Sequence, residues 1–208
     1  MESPLCPADA QLIETLAWVD GRFRRLDYHL ARLQNSARAL GFRLDPGVVA
    51  DALDRIAGPA PLRVRLTLAQ DGTVAVTHGP LAPNPAIWRL SLSPERLRSD
   101  DPLLRHKTTE RRLYDSTRAA LPAEVDEVIF ANERGELCEG TISTIFFDLG
   151  QGLLTPPLAS GCLPGVLRAE LLASGKCAEA ILPLDDLPRA RLWMGNSLRG
   201  LIAGRLTG

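Results

Sequence analysis

Lysine chemistry in this chain is confined to two positions, because only Lys107 and Lys176 among its 24 basic side chains are lysines. Lys107 lies in the segment RHKTTERR, surrounded by arginines and a histidine. Neighbouring positive charges lower the pKa of a lysine ammonium group, and the neutral amine is the form that attacks carbonyl carbons. The segment therefore predicts a nucleophilic amine at Lys107. A solvated lysine in a charged loop is the alternative, and the segment alone does not exclude it.

A second candidate for chemistry is the carboxylate of Glu139. It lies in the largely apolar sequence CEGTISTIFF, directly before Gly140. A carboxylate on an apolar strand is costly to bury without a partner. A ring nitrogen that the carboxylate keeps protonated would be a suitable partner. The alternative is an exposed carboxylate at the end of a strand, close to a hairpin.

Three further segments have the character of anion sites. Pro164-Gly165 leads directly into a predicted amphipathic helix, and the backbone N–H groups at a helix start bind anions. Gly195-Asn196-Ser197 follows a predicted strand and supplies an amide, a hydroxyl and backbone N–H groups. Arg32 lies roughly 110° from the apolar stripe of its helix, on a flank from which it can reach an anion. Plain turns and a solvated arginine are the alternatives.

The elements that position Arg32 form a predicted α+β domain over residues 1–80. Its signals are apolar alternation for strands, apolar residues at helical spacing, and the turn pairs Asp20-Gly21 and Asp71-Gly72. The predicted elements are a strand over 12–19, a helix over 26–40 that ends at Gly41, a helix from Asp45 to about Ala57, and a hairpin over 63–77.

Three prolines in residues 78–86 predict a connection without helix, of which we take 81–86 as a linker. A second domain over 87–208 then carries Lys107, Glu139 and the Pro-Gly turn. Its predicted elements are a strand over 87–93, a charged loop over 94–106, a helix from about Thr109 to Leu121, the strands VDEVIFAN and LCEGTISTIFFD, a helix over 165–174, and a final strand–helix–strand unit. The order of elements predicts two small domains of α+β or α/β class.

Composition narrows the class of protein. The 208 residues are 45% hydrophobic and 24% charged with a net charge of −1, which is typical of a soluble globular protein and gives no electrostatic reason to expect nucleic acid or a membrane surface as a partner. The first residues lack the pattern of a signal peptide, and the uncharged run 149–167 contains three prolines. The four cysteines have no metal-ligand spacing. We therefore expect a cytoplasmic protein with free thiols and no metal site.

Taken together, the segments ETLAWVDGRFRRLDYHLARL, HKTTERRLYD, DEVIFANERGELCEGTISTIFF, LLTPPLASGCLPGV and GNSLRG resemble the fold-type IV pyridoxal-phosphate enzymes. This family contains branched-chain aminotransferases, D-amino-acid aminotransferases and aminodeoxychorismate lyases. The segments occur in the family's order from about residue 13 to residue 201. The resemblance implies an N-terminal α/β sandwich, a C-terminal strand-rich pseudo-barrel, and pyridoxal 5′-phosphate as the cofactor.

The resemblance also implies a role for individual residues. Lys107 matches the lysine that forms the Schiff base, and Glu139 matches the carboxylate that pairs with the pyridine nitrogen. Arg32 matches the arginine that binds the phosphate. The other implied cofactor contacts are the backbone amides of Val166 and Leu167 and the side chain of Asn196; the implied substrate contacts are Ser197, Leu198 and, as a proton donor in an elimination, Thr15.

Several positions depart from the family pattern. Glu110 stands where lyase-like members commonly have asparagine, Arg112 where branched-chain enzymes have a tyrosine, and Thr144 where the family has another asparagine. The chain also starts almost at its first strand, without the Gly-rich segment that usually precedes it. The substrate site is therefore less defined than the cofactor site, with Arg24, Arg63 and Arg65 all available as carboxylate partners. Cys162 is expected to pack rather than react.

The implied function is that of a branched-chain-type aminotransferase, which passes an amino group between an amino acid and a 2-oxo acid. The first alternative is aminodeoxychorismate lyase, which forms 4-aminobenzoate and pyruvate. A cofactor-binding protein without turnover is the second, and a two-domain α/β protein whose motifs are only turns and surface charges is the third. Because a neighbouring subunit completes the pocket in this family, the resemblance also implies a homodimer.

Overall fold

The structure is a computed structural model that describes residues 6–207. The chain forms two compact units: the first comprises the chain up to Pro83 together with His106–Glu110, and the second comprises Asn84–Arg105 together with the chain from Arg111 onward. Lys107, which the sequence analysis assigned to the second domain, therefore belongs to the first unit. Part of the segment used to judge a signal peptide, residues 1–5, lies outside the described residues.

The first unit is built on a four-stranded antiparallel sheet in the order β2-β1-β3-β4. Alternate residues of β1 and β3 face the two helices, so that Leu12, Leu16 and Leu66 share a buried core with Leu33 and Ala37. The elements are β1 Gln11–Val19, β2 Arg22–Phe23, α1 Leu26–Leu40, α2 Pro46–Leu53, β3 Leu62–Ala69 and β4 Val74–Pro80.

Local signals set the helix ends in this unit. Gly41 adopts a φ of 74° and ends α1, a backbone conformation that favours glycine. The Asp45 side chain accepts a hydrogen bond from the Gly47 amide and so starts α2. The predicted extension of α2 to Ala57 was wrong. The chain leaves the helix after Leu53 in a turn, with the Ile56 amide donating to the Leu53 carbonyl, and Ile56 enters the core.

The second unit contains an eight-stranded sheet in the order β10-β9-β8-β11-β12-β5-β6-β7. An additional pairing between β7 and β8 closes six of these strands into a ring, and β9 and β10 extend from it. This barrel-like sheet is the strand-rich architecture that the sequence predicted. The elements are β5 Ile87–Leu97, α3 Arg112–Ala119, β6 Glu127–Asn132, β7 Leu137–Gly140, β8 Thr144–Asp148, β9 Leu154–Thr155, α4 Val166–Ala173, β10 Ala178–Glu179, β11 Arg191–Asn196 and β12 Gly200–Leu206.

Two predicted elements of this unit differ in extent. LCEGTISTIFFD forms two strands rather than one, because the chain turns between Gly140 and Thr144. The strand predicted over 87–93 continues to Leu97 through a segment predicted as loop, with an irregularity in its pairing between Leu92 and Arg96. Within the described part of the chain, no helix is long and apolar enough to cross a membrane, and no cluster of three or more His, Cys, Asp or Glu side chains is arranged to hold a metal ion.

The turn between β7 and β8 is organised by the fully buried carboxylate of Glu127. Its oxygens accept hydrogen bonds from the amide N–H groups of Thr141 (3.0 Å) and Ile142 (3.2 Å) and from the hydroxyls of Thr141 and Ser143. The Nη1 atom of Arg118 lies 3.5 Å from the Oε1 atom of Glu127. These donors offset the cost of burying the charge and fix the conformation of the turn that follows Glu139.

Replacing Glu127 by glutamine is expected to lower the free energy of unfolding by about 2–4 kcal/mol, because the amide loses the charge and presents its NH2 group to donors. Urea denaturation of the variant measures this loss. Glu124→Gln, at an exposed position just before β6, is the control and should change stability by less than about 0.5 kcal/mol. Equal effects of the two substitutions would contradict the role of Glu127.

Candidate active site

The backbone around Lys107 is held along the free edge of β1. The Lys107 carbonyl accepts a hydrogen bond from the Ile13 amide (2.8 Å), and the Thr109 amide donates to the Gln11 carbonyl (2.9 Å). The Thr109 hydroxyl accepts from the Gln11 amide (2.9 Å). Since residues 107–109 are extended in this pairing, α3 begins at Arg112 and not at the predicted Thr109. Lys107 is half-buried on a fixed backbone, unlike a solvated loop lysine.

One residue along β1 from that contact lies Glu14, a buried carboxylate that the sequence analysis missed. Its carboxylate accepts two hydrogen bonds from the Arg32 guanidinium, from Nε to Oε1 (2.8 Å) and from Nη2 to Oε2 (2.6 Å). The His29 Nδ1 atom lies 2.5 Å from Oε2. Arg32 therefore lies on the flank of α1 as predicted, with its guanidinium orientation fixed by Glu14. The signal was available: like Glu139, Glu14 is a carboxylate in an apolar strand.

The charges in this group follow from its contacts. Burial raises the pKa of Glu14, but the Arg32 charge and the hydrogen bonds from His29 and Arg32 outweigh it and lower the pKa to about 2. Burial is the main reason that the pKa of His29 is lowered, and the positive charges of Arg32 and Lys107 act in the same direction. Glu14 is thus ionised and His29 neutral at pH 7, with the His29 proton on Nδ1, where it is donated to Glu14.

Acid should destabilise the protein through these two groups. Because the folded pKa of Glu14 lies below that of an unfolded glutamate, and the pKa of His29 is also lowered, the unfolded chain binds these protons first. The unfolding free energy should fall as the pH drops from about 6 towards 2, with Glu14 accounting for on the order of 3 kcal/mol. We expect the stability difference between wild type and Glu14→Gln, measured by urea denaturation, to be large at pH 7 and to shrink towards pH 2.

Glu95→Gln, at an exposed glutamate, is the matched control for the acid titration and should follow the wild-type profile. A Glu14→Gln profile parallel to that of the wild type across the whole range would show that Glu14 does not carry this pH dependence.

The substrate candidates on the first sheet share one face. Thr15 is directly opposite Arg65, and Ala17 is directly opposite Arg63, so these side chains project to the same side of the sheet, away from the helices. The Arg24 amide donates to the Ala17 carbonyl beside them (2.9 Å). Thr15 therefore lies beside arginines that the sequence left as equal candidates for binding a substrate carboxylate. Such a face suits anionic groups.

In the second unit, Glu139 lies on β7 with 7% of its surface exposed. Its Oε1 atom accepts a hydrogen bond from the Tyr114 hydroxyl (2.7 Å), and its Oε2 atom accepts one from the Leu163 amide (2.9 Å). The exposed strand end considered as an alternative is therefore wrong. Tyr114 was missed because nothing in the sequence shows that α3 packs beside β6, the strand paired with β7.

The predicted helix start forms as expected, since Gly165 is the N-cap of α4 and provides no side-chain cap. The amides of Val166 and Leu167 lie in the first turn, where N–H groups have no acceptor within the helix. A Cβ atom at Gly165 would lie 2.5 Å from the Thr144 hydroxyl oxygen, so only glycine fits this approach of α4 to β8. Thr144, the departure from the family's asparagine, thus contributes a hydroxyl beside the helix start.

Asn196 ends β11 and shapes the turn after it. Its side-chain oxygen accepts hydrogen bonds from the amides of Leu198 (3.1 Å) and Arg199 (3.0 Å), and its Nδ2 atom donates to the Ile142 carbonyl (3.2 Å). The Leu198 amide proposed for substrate binding is therefore already bonded within the turn.

The cysteines behave as packing residues. All four are free and buried. Burial, with the nearby Glu139 charge, raises the pKa of the Cys162 thiol to about 12, which leaves it unreactive at neutral pH.

An antiparallel sheet covered by helices and a barrel-like sheet match the architecture of fold-type IV pyridoxal-phosphate enzymes. The chain belongs to the class IV aminotransferase family, whose model matches residues 11–206. Enzymes of this family bind pyridoxal 5′-phosphate and act as aminotransferases or lyases on small molecules.

Similar proteins carry both activities in their names. A Mesorhizobium loti structure assigned as an amino-acid aminotransferase is 49% identical, with a TM-score of 0.89 over 96% of this chain and 100% of that chain. A Pseudomonas aeruginosa 4-amino-4-deoxychorismate lyase is 25% identical, with a TM-score of 0.81 over 94% of this chain and 82% of that chain. A Schizosaccharomyces pombe protein assigned as aminodeoxychorismate lyase is 28% identical over 210 residues, 95% of this chain and 90% of that protein.

Proposed function

We propose that this chain is a pyridoxal-phosphate-dependent amino-acid aminotransferase, which passes an amino group between an amino acid and a 2-oxo acid. The observation that carries the proposal is the fixed backbone of Lys107 on the edge of β1, next to the Glu14–Arg32 pair. The 49% identity to a protein assigned as an amino-acid aminotransferase supports the choice of reaction. A homodimer and a cytoplasmic location remain predictions.

The residues present fit the cofactor. At Gly165 only glycine fits, and the amides in the first turn of α4 have no side-chain cap, so this helix start suits a phosphate group. The guanidinium of Arg32, whose orientation is fixed, also suits a phosphate group. The buried, hydrogen-bonded carboxylate of Glu139 suits a protonated ring nitrogen. We therefore propose Arg32 and, separately, the amides of Val166 and Leu167 as candidate donors to a phosphate, and Glu139 as a candidate partner of the ring nitrogen. Asn196 shapes the neighbouring turn.

When bound, pyridoxal phosphate supplies an electrophilic carbonyl and a ring that accepts electrons from the substrate α-carbon. In our proposal, the Lys107 amine would hold the group at that carbonyl and would act as the base for the proton on the substrate α-carbon. The Glu139 carboxylate would hold the group at its ring nitrogen and would favour the protonated form of that nitrogen. Arg32 and, separately, the first-turn amides of α4 would supply donors suited to its phosphate.

The alternative, aminodeoxychorismate lyase, is favoured by a different observation. Thr15 carries a hydroxyl on the same sheet face as Arg63 and Arg65, where a proton donor would lie beside groups that bind carboxylates. Relatives named as lyases, at 28% and 25% identity, support this alternative. Both reactions would use Lys107 in the same way.

Replacing Lys107 by alanine is expected to reduce turnover by at least about a hundredfold, because the base and the covalent attachment are lost together. Binding of the cofactor through its phosphate should remain measurable by equilibrium dialysis. Lys176→Ala, at the other lysine, which is exposed, is the matched control and should leave turnover unchanged. Unchanged turnover in the Lys107 variant would overturn the assignment. If the wild type binds the cofactor but turns over no amino acid and no 2-oxo acid, the result would favour a cofactor-binding protein without turnover.

The two reactions differ in how they treat a 2-oxo acid. We expect protein loaded with pyridoxamine phosphate to return to the aldehyde form when 2-oxoglutarate or another 2-oxo acid is added, because an aminotransferase must complete this half-reaction. Visible absorbance follows the change. A protein that ignores every 2-oxo acid but releases pyruvate and 4-aminobenzoate from aminodeoxychorismate would be a lyase.

A further inference from the structure

We propose that Tyr114 is a positioning residue for Glu139, holding the carboxylate in one orientation and in its ionised form. The proposal rests on the proposed pairing of Glu139 with the ring nitrogen of the cofactor. Neither the family match nor the carried-over motif residues assign any role to Tyr114, which lies on α3, seven residues after Lys107.

The geometry fixes both ends of the carboxylate. Tyr114 donates its hydroxyl hydrogen to Oε1 (2.7 Å), while the Leu163 amide donates to Oε2 (2.9 Å) from the segment before α4. The two donors belong to different elements, so rotation of the carboxylate would break at least one of these bonds. A carboxylate held in this way presents its remaining lone pairs in a constant direction.

The ring that carries the hydroxyl is itself held. Tyr114 packs edge-to-face on Phe130, with centroids 5.3 Å apart, and the Arg111 guanidinium lies 5.4 Å from its ring centroid. Phe130 on β6 is directly opposite Glu139 on β7. The same strand pair therefore positions the acceptor and supports the ring of its donor.

The hydroxyl can act only as a donor in this contact. Burial is the main reason that the pKa of Tyr114 is strongly raised, and the Glu139 charge adds to it, so the phenol remains protonated over the working range of pH. Donation to an ionised carboxylate stabilises the ionised form and lowers its affinity for a proton. A proton shared between Glu139 and a ring nitrogen should consequently stay on the nitrogen.

Tyr114→Phe tests this directly, because it keeps the ring packing and removes one hydroxyl. Tyr28→Phe, at the exposed tyrosine on α1, is the matched control. In the full chain with selectively carbon-13-labelled glutamate, NMR titration without added cofactor should show the pKa of Glu139 raised by about one to two units in Tyr114→Phe and unchanged in Tyr28→Phe. The Glu139 signal is assigned by its loss in Glu139→Gln.

With pyridoxal phosphate bound, Tyr114→Phe should also shift the pH profile of kcat and of the cofactor absorbance. A Glu139 titration that is the same in wild type and Tyr114→Phe would overturn the proposal. Failure of wild type to bind the cofactor would instead overturn the proposed function, and the carboxyl titration would still decide the role of Tyr114.

A measurement on the wild type covers the case in which Tyr114→Phe does not fold. Absorbance titration of the wild type should show that the Tyr114 phenol ionises only on unfolding, because burial and the Glu139 charge raise its pKa. If the Tyr114 phenol ionises while the protein is still folded, the buried hydrogen bond to Glu139 is excluded and the proposal is overturned.

Discussion

A carboxylate buried on a β-strand must be surrounded by donors, and this requirement organises the chemistry of the chain. Glu14 on β1 fixes the Arg32 guanidinium and accepts from His29 on the same helix. Glu139 on β7 fixes Tyr114 of α3. Each interaction joins a strand to a helix, so each also positions elements of its own unit. The side chains proposed to bind the cofactor are therefore held by interactions that the fold itself needs.

Lys107 is positioned by a different device. Its side chain extends from a short segment that pairs through backbone hydrogen bonds with the edge of β1, at Gln11 and Ile13. This backbone pairing fixes the position of Lys107 along β1 through main-chain groups alone. An extended segment also cannot be the first turn of a helix, which explains why α3 begins only at Arg112.

Much of the fold could be predicted from the sequence because its signals are local. The Asp-Gly hairpins, the C-terminal glycine of α1 and the proline–glycine start of α4 depend on neighbouring residues alone. The interactions that were missed join distant residues: Glu14 with Arg32, Tyr114 with Glu139, and residues 107–109 with β1. The break between β7 and β8 belongs to the same group, since Glu127 on another strand creates it. Apolar alternation does not reveal which distant donor a buried carboxylate will find.

The identity of the amine that binds the cofactor is the feature on which the proposed chemistry depends most. Borohydride reduction of the protein loaded with pyridoxal phosphate, followed by peptide mapping by mass spectrometry, measures this directly. We predict a single phosphopyridoxyl label on the peptide that contains Lys107. A label on Lys176 alone, or no label on protein that has bound the cofactor, would contradict the account.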